Sequence, residues 1–118
     1  MPRANGSWKT AGNLLLEKQF FTSAVLSDGR LITCGGEYSG PGLPETETNF
    51  CEVYDPSTQS SASFSPPSGW TNIGDGPSAV LDDGTLMVGN TQGKGFQVAL
   101  LDASTLTWTF GVGVSSLL

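Results

Sequence analysis

Apolar residues occur along this chain in short runs separated by Gly, Asp, Ser and Pro, a pattern typical of β-strands joined by turns. Two pairs of these runs flank an Asp-Gly dipeptide: residues 21–26 and 31–34 around Asp28-Gly29, and residues 79–81 and 86–88 around Asp83-Gly84. Asp-Gly between apolar runs predicts a β-hairpin, because the turn needs positive φ at its centre. The pattern therefore predicts one hairpin in each half of the chain.

Each predicted hairpin is followed by two more strand candidates: residues 50–54 and 60–64 in the first half, and residues 96–101 and 106–110 in the second. The segments between them begin with Asp55 and Asp102, and Asp at the first position of a turn can bond the backbone two residues on. No window has the apolar spacing of an amphipathic helix of ordinary length. We therefore expect an all-β chain with two four-stranded antiparallel meanders.

The two halves are related by a repeat. Residues 23–31 recur as residues 78–86 with seven of nine positions identical and a constant offset of 55. Tandem four-stranded meanders at this spacing are typical of β-propeller blades, and a two-sheet sandwich is the alternative that requires no repeat. We expect a first blade over residues 17–68 and a second over residues 69–118.

Residues 1–16 precede the first predicted blade. The segment 7–10 contains Trp8 and resembles residues 107–109 around Trp108, so it predicts the fourth strand of a preceding blade. With this segment the chain has nine strand candidates, whereas two four-stranded blades need eight. The spare strand could pair with another chain, as an exposed sheet edge invites, or belong to a larger propeller.

Residues 26–36 and 53–58 resemble the kelch repeat, especially the bacterial kelch-type blades related to the central domain of galactose oxidase. The second copy departs from the pattern at Gly89-Asn90, where the first has a double glycine, and Ser61 stands where the second copy has Trp108. The resemblance implies structural roles for the matching positions, which are Asp28, Gly29, Gly35, Gly36, Tyr54, Asp55, Asp83, Gly84, Asp102 and Trp108.

Two blades are fewer than the roughly four to eight that form a propeller. We therefore expect homo-oligomeric closure, with a six-bladed trimer ahead of a four-bladed dimer or an eight-bladed tetramer. The expected function is that of a scaffold or binding module whose ligand is a protein or a carbohydrate. The alternatives are an excised part of a larger secreted galactose-oxidase-like enzyme and a lectin-like, carbohydrate-binding propeller.

Composition argues against several functions. The net charge is −6 and the five basic residues form no cluster, so we expect no nucleic acid as a partner. The chain has no His, which removes the commonest general base near neutral pH, and two Cys without His make a zinc site improbable. We expect no enzyme activity, no cofactor and no metal, and the copper site of galactose oxidase is not carried over.

The sequence contains no apolar run of membrane-spanning length and no signal-peptide core, so we expect no membrane partner and leave the compartment open. Cys34 and Cys51 flank the loop of the first copy. They could form a cross-strand disulfide or remain two buried thiols, and the sequence does not decide between these.

Loop residues supply the candidate binding positions: Glu37, Tyr38, Asn49, Trp70, Asn90 and Gln92. Tyr38 is the expected exposed aromatic residue of a Gly-rich loop. Trp70 could stack on a sugar ring, but packing between blades is the favoured interpretation. Two of the carboxylates Glu37, Glu45 and Glu47 could hydrolyse a glycoside, although a solvated acidic loop is the simpler explanation.

Overall fold

The computed structural model describes residues 5–39, 46–91 and 97–111. It confirms an all-β chain, with two four-stranded antiparallel sheets and no helix in these ranges. The first sheet has the order β1-β2-β3-β4 and the second the order β5-β6-β7-β8. The strands are β1 (Thr22–Val25), β2 (Leu31–Cys34), β3 (Cys51–Asp55), β4 (Ser60–Phe64), β5 (Ser78–Val80), β6 (Leu86–Gly89), β7 (Val98–Asp102) and β8 (Thr107–Phe110).

The β1–β2 and β5–β6 hairpins share one turn geometry. Positive φ falls on the glycine alone, at 93° for Gly29 and 88° for Gly84. The Gly29 amide donates to the carbonyl of Leu26 at 2.9 Å, and the Leu26 amide donates to the carbonyl of Arg30 at 2.8 Å. This is a three-residue hairpin loop, in which a β-turn is followed by a left-handed residue. The expected positive φ is therefore found one residue after Asp, on the glycine.

The side chains of each sheet divide between two faces, because residues directly opposite across strands share a face. We define the front face by the rows Ala24-Ile32-Val53-Ala62 in the first sheet and Ala79-Met87-Leu100-Thr109 in the second. The back face is defined by the rows Val25-Leu31-Tyr54-Ser61 and Val80-Leu86-Leu101-Trp108. The two sheets therefore have corresponding faces, position by position.

The core lies between the two sheets. Ile32 and Val53 on the front face of the first sheet join Leu86 and Leu101 on the back face of the second in one buried apolar cluster. At its rim the rings of Phe64 and Trp108 stack, with centroids 6.3 Å apart. The two sheets thus pack front to back: the front face of the first contacts the back face of the second. Because the sheets are copies of one repeat, each has a front face and a back face.

The edge strands β1 and β5 of the two sheets lie side by side. The Ser78 hydroxyl donates to the carbonyl of Ser23 at 3.2 Å, a bond between the same repeat position of the two sheets. Val25 is 63% exposed and Val80 is 37% exposed on these strands. Apolar side chains of these two edge strands are thus left partly in solvent.

Candidate functional site

Two of the predicted binding residues, Glu37 and Tyr38, lie where the N-terminal segment meets the loop that follows β2. The backbones of Gln19 and Glu37 exchange two hydrogen bonds, of 2.8 and 2.7 Å. The adjacent rings of Phe20 and Tyr38 pack with centroids 6.1 Å apart. Phe20 is 56% exposed and Tyr38 is half-buried. Phe20, which the sequence did not single out, therefore supplies the more exposed ring of this aromatic pair.

Both aromatic residues have left-handed backbones, with φ of 54° at Phe20 and 51° at Tyr38. This conformation is uncommon for bulky side chains and persists only where the surrounding contacts fix it. The Gln19–Glu37 bridge provides such contacts. The bridge thus joins the two backbone segments that carry the rings of Phe20 and Tyr38.

Asn49 and Trp70 are brought together, but by packing. The Asn49 amide donates to the carbonyl of Trp70 at 2.8 Å. The Trp70 ring is 3% exposed, and its Nε1 donates to Oε1 of Gln97 at 2.7 Å. Its indole packs near Phe110, with ring centroids 6.2 Å apart. Trp70 therefore presents no free face to a sugar in this structure, in line with the favoured packing interpretation.

The remaining loop candidates give no common site. Asn90 is half-buried and its backbone N–H donates to the backbone carbonyl of Gln97 at 2.9 Å, whereas Gln92 lies outside the described residues. Glu45 also lies outside them, and Glu47 accepts a hydrogen bond from the Asn72 amide at 2.8 Å. Within the described ranges no group of three or more His, Cys, Asp or Glu side chains could hold a metal ion.

Cys34 and Cys51 are directly opposite each other in the first sheet and form a disulfide. This resolves the choice that the sequence left open, against two free thiols. The bond lies at the base of the loop that carries Tyr38, and next to it the Gly35 amide donates to the carbonyl of Phe50 at 2.9 Å. The loop is therefore anchored at its base by a covalent bond and a hydrogen bond.

The four aspartates of the turns accept hydrogen bonds from backbone N–H groups of their own turns. Asp28 and Asp83 accept from the amides of Arg30 and Thr85, and Asp55 and Asp102 accept from Ser57 and Ser104. Hydrogen bonds within these turns lower the carboxyl pKa of all four residues. The main cause is the backbone hydrogen bond at Asp28 and Asp83, and the hydrogen bond from the serine hydroxyl at Asp55 and Asp102. These side chains are therefore held as carboxylates that close turns.

A buried ion pair on the back face of the first sheet was not expected from the sequence. Lys18 Nζ lies 3.2 Å from Glu52 Oε1, and both side chains are fully buried. The ammonium group also lies over the rings of Phe21 and Phe50, at 5.8 and 5.4 Å from their centroids. Desolvation lowers the pKa of Lys18, against the raising effect of Glu52. The only sequence signal is a glutamate in the middle of an otherwise apolar strand.

The N-terminal segment, residues 12–18, covers that back face. The backbone N–H of Leu15 donates to Oε2 of Glu52 at 2.6 Å, and the backbone N–H of Gly12 donates to the Tyr54 hydroxyl at 3.1 Å. The carbonyl of Asn13 accepts from the Ser61 hydroxyl at 3.0 Å. The residues that the segment contacts in β3 and β4 all belong to the back face. Residues 5–18 contain no strand, so the fourth strand expected around Trp8 is not formed within the single chain.

The front face of the second sheet has no covering element among the described residues. Met87 and Leu100 are half-buried, whereas Ala79 and Thr109 are exposed. An open groove of about 470 Å³ runs along this face, with Leu100, Thr107 and Thr109 in its wall together with Asp83, Asp102 and Ser104. The surface is therefore a mixed apolar and hydroxyl-lined face, in the position that corresponds to the buried front face of the first sheet.

No helix in the described ranges is long and apolar enough to cross a membrane. No protein-family model matches the chain, and no curated protein is significantly similar to it.

Proposed function

We propose that the chain is a non-enzymatic, kelch-like two-blade module that closes into a β-propeller by associating with further copies of itself, as a six-bladed trimer. The observation that carries the proposal is the front-to-back packing of the two sheets. Each sheet has both kinds of face. The internal contact buries the front face of the first sheet and the back face of the second, and residues 12–18 cover the back face of the first. Association that repeats the internal contact would cover the front face of the second sheet.

The N-terminal segment supports this stacking. On the back face of the second sheet, Trp108 Nε1 donates to the carbonyl of Ser65 at 2.8 Å, at the start of the linker between the sheets. On the back face of the first sheet, the Ser61 hydroxyl donates to the carbonyl of Asn13 in the same manner. Ser61 and Trp108 each lie six residues after the equivalent Asp55 and Asp102. The N-terminal segment thus takes the place of a linker that arrives from a preceding blade.

Head-to-tail contacts of this kind form a closed ring when the rotation between blades permits it. Three copies give six blades, within the range of roughly four to eight that propellers use. The same observations suit a longer propeller in which another blade of the same polypeptide covers each face. The mass of the native species separates these two assignments.

Leu100→Arg tests the association surface. It places a charge on the front face of the second sheet, and an unpaired charge in a contact costs several kcal/mol, so we expect the native mass to fall to that of one chain. Thr71→Arg adds the same charge at an exposed loop position and is expected to keep the oligomer. Circular dichroism of both variants shows whether the sheets remain folded. An oligomer unaffected by Leu100→Arg in a folded chain would contradict the proposed surface.

Carbohydrate binding is the second candidate function, and the Phe20–Tyr38 pair favours it. An exposed aromatic face can pack against the C–H face of a sugar ring, and Phe20 of this pair is more than half exposed. Glycan-array binding followed by titration of the best glycan tests this. We expect Phe20→Ala to weaken binding roughly tenfold, equivalent to about 1.4 kcal/mol, while Trp8→Ala, at another exposed aromatic residue, leaves it unchanged. Absence of any glycan signal would contradict this candidate.

A further inference from the structure

Residues 5–7 have the acceptor pattern for N-linked glycosylation. The pattern is Asn, then any residue except Pro, then Ser or Thr, and Asn5, Gly6 and Ser7 match it. The sequence contains five asparagines, and Asn5 is the only one followed two positions later by Ser or Thr. Because a pattern of three residues is common by chance, the place of these residues in the fold decides what the match is worth.

The segment that carries the pattern has room for a large polar group. Residues 5–11 belong to no strand and are all exposed. Apart from the adjacent residues of the chain, no atom lies within 4 Å of the position that a Cβ atom on Gly6 would take. An N-linked glycan is bulky and is carried on the protein surface. The structure therefore accommodates a glycan on Asn5 without displacing any of the described strands.

The disulfide between Cys34 and Cys51 is a second, independent observation. Both residues are fully buried in the core between the sheets, and the described residues contain no free cysteine. Disulfides form and persist in oxidising environments such as the lumen of the endoplasmic reticulum, and they are rare in the cytosol. Asparagine glycosylation takes place in that same lumen. The disulfide therefore indicates a compartment of the kind in which the Asn5 pattern is used.

We propose that Asn5 is an N-glycosylation site of a secreted chain. The donor is an oligosaccharide joined to a lipid through diphosphate. The side-chain nitrogen of Asn5 forms a bond to C1 of the first sugar, the bond from C1 to the diphosphate oxygen breaks, lipid diphosphate leaves, and the amide releases one proton. The inference is independent of the proposed association, because it uses neither face of either sheet.

Secretion from a eukaryotic host tests the site. The chain is produced with a cleavable signal peptide, and its intact mass is measured before and after treatment with peptide-N-glycosidase. We expect the untreated chain to carry the mass of one N-glycan, and the treated chain to have aspartate at position 5, because the enzyme converts the linked asparagine. Ser7→Ala removes the pattern and should give the unmodified mass, whereas the matched control Ser7→Thr keeps the pattern and should remain modified.

Two further readouts separate failure of the site from failure of the compartment argument. Titration of thiols in the denatured, unreduced chain reports whether the disulfide has formed. A secreted, disulfide-bonded chain of unmodified mass overturns glycosylation at Asn5, and free thiols in the secreted chain overturn the compartment argument. If secretion fails, cell-free translation into microsomes replaces it. A translocated, protease-protected chain without a glycan then overturns the site.

Discussion

Glu52 is held inside the first sheet by two donors from the N-terminal segment, the Lys18 ammonium group and the Leu15 amide. A buried carboxylate needs such donors, because transfer of an unpaired charge from water to the interior is strongly unfavourable. In the second sheet, Ala99 stands at the position of Glu52 and Val88 at that of Thr33. These two residues pack in the apolar core between the sheets. The same backbone position is thus polar or apolar according to what covers it.

Lys18→Met is expected to destabilise the chain strongly, by roughly 3–5 kcal/mol, because it leaves the carboxylate of Glu52 without its counter-charge. Urea unfolding followed by circular dichroism measures the free energy. The double variant Lys18→Met with Glu52→Gln removes both charges, and we expect it to be more stable than Lys18→Met alone. A double variant no more stable than Lys18→Met alone would contradict the coupling of the two charges.

The elements are defined by local patterns, and their turns carry much of the information. Each β3–β4 or β7–β8 turn ends in a left-handed residue that is not glycine, Gln59 with φ of 54° and Leu106 with φ of 55°. A side chain in this conformation costs of the order of 1 kcal/mol relative to glycine. The cost is tolerated where the side chain contributes elsewhere, and Leu106 packs against the core whereas Gln59 is exposed.

The two turns therefore predict opposite effects of one substitution. Gln59→Gly relieves the backbone conformation without loss of packing and should stabilise the chain by about 0.5–1 kcal/mol. Leu106→Gly relieves the same conformation but removes a side chain packed on the core, so we expect net destabilisation. Thermal or urea unfolding of both variants decides, and stabilisation by Leu106→Gly would contradict the packing role of Leu106.

The strands and the Asp-Gly hairpins were predictable from sequence, because the alternation of apolar residues and the turn residues are local properties. The contacts that position the candidate site were not. Lys18 and Glu52 are separated by 34 residues, and nothing in the local pattern of either residue identifies the other. The same holds for Phe20 and Tyr38, whose contact depends on the backbone bridge between distant segments. The burial of Trp70 likewise depends on contacts with Gln97 and Phe110, which are distant in sequence.

At the scale of the whole molecule, the two sheets form a directional stack with two unlike ends. One end is the front face of the second sheet with Met87 and Leu100, and the other is the back face of the first sheet beneath the N-terminal segment. The internal contact joins one face of each kind, so a second copy has a defined way to add. In the proposed ring, the front face of the second sheet in one copy meets the back face of the first sheet in the next copy, together with the N-terminal segment that covers it.

The mass of the native, unmodified chain in solution tests this account most directly. Native mass spectrometry, with light scattering at the same concentration, counts the copies. We expect an assembly of three chains, each of 12.3 kDa, and therefore six blades. A stable, folded monomer of 12.3 kDa would contradict closure by self-association.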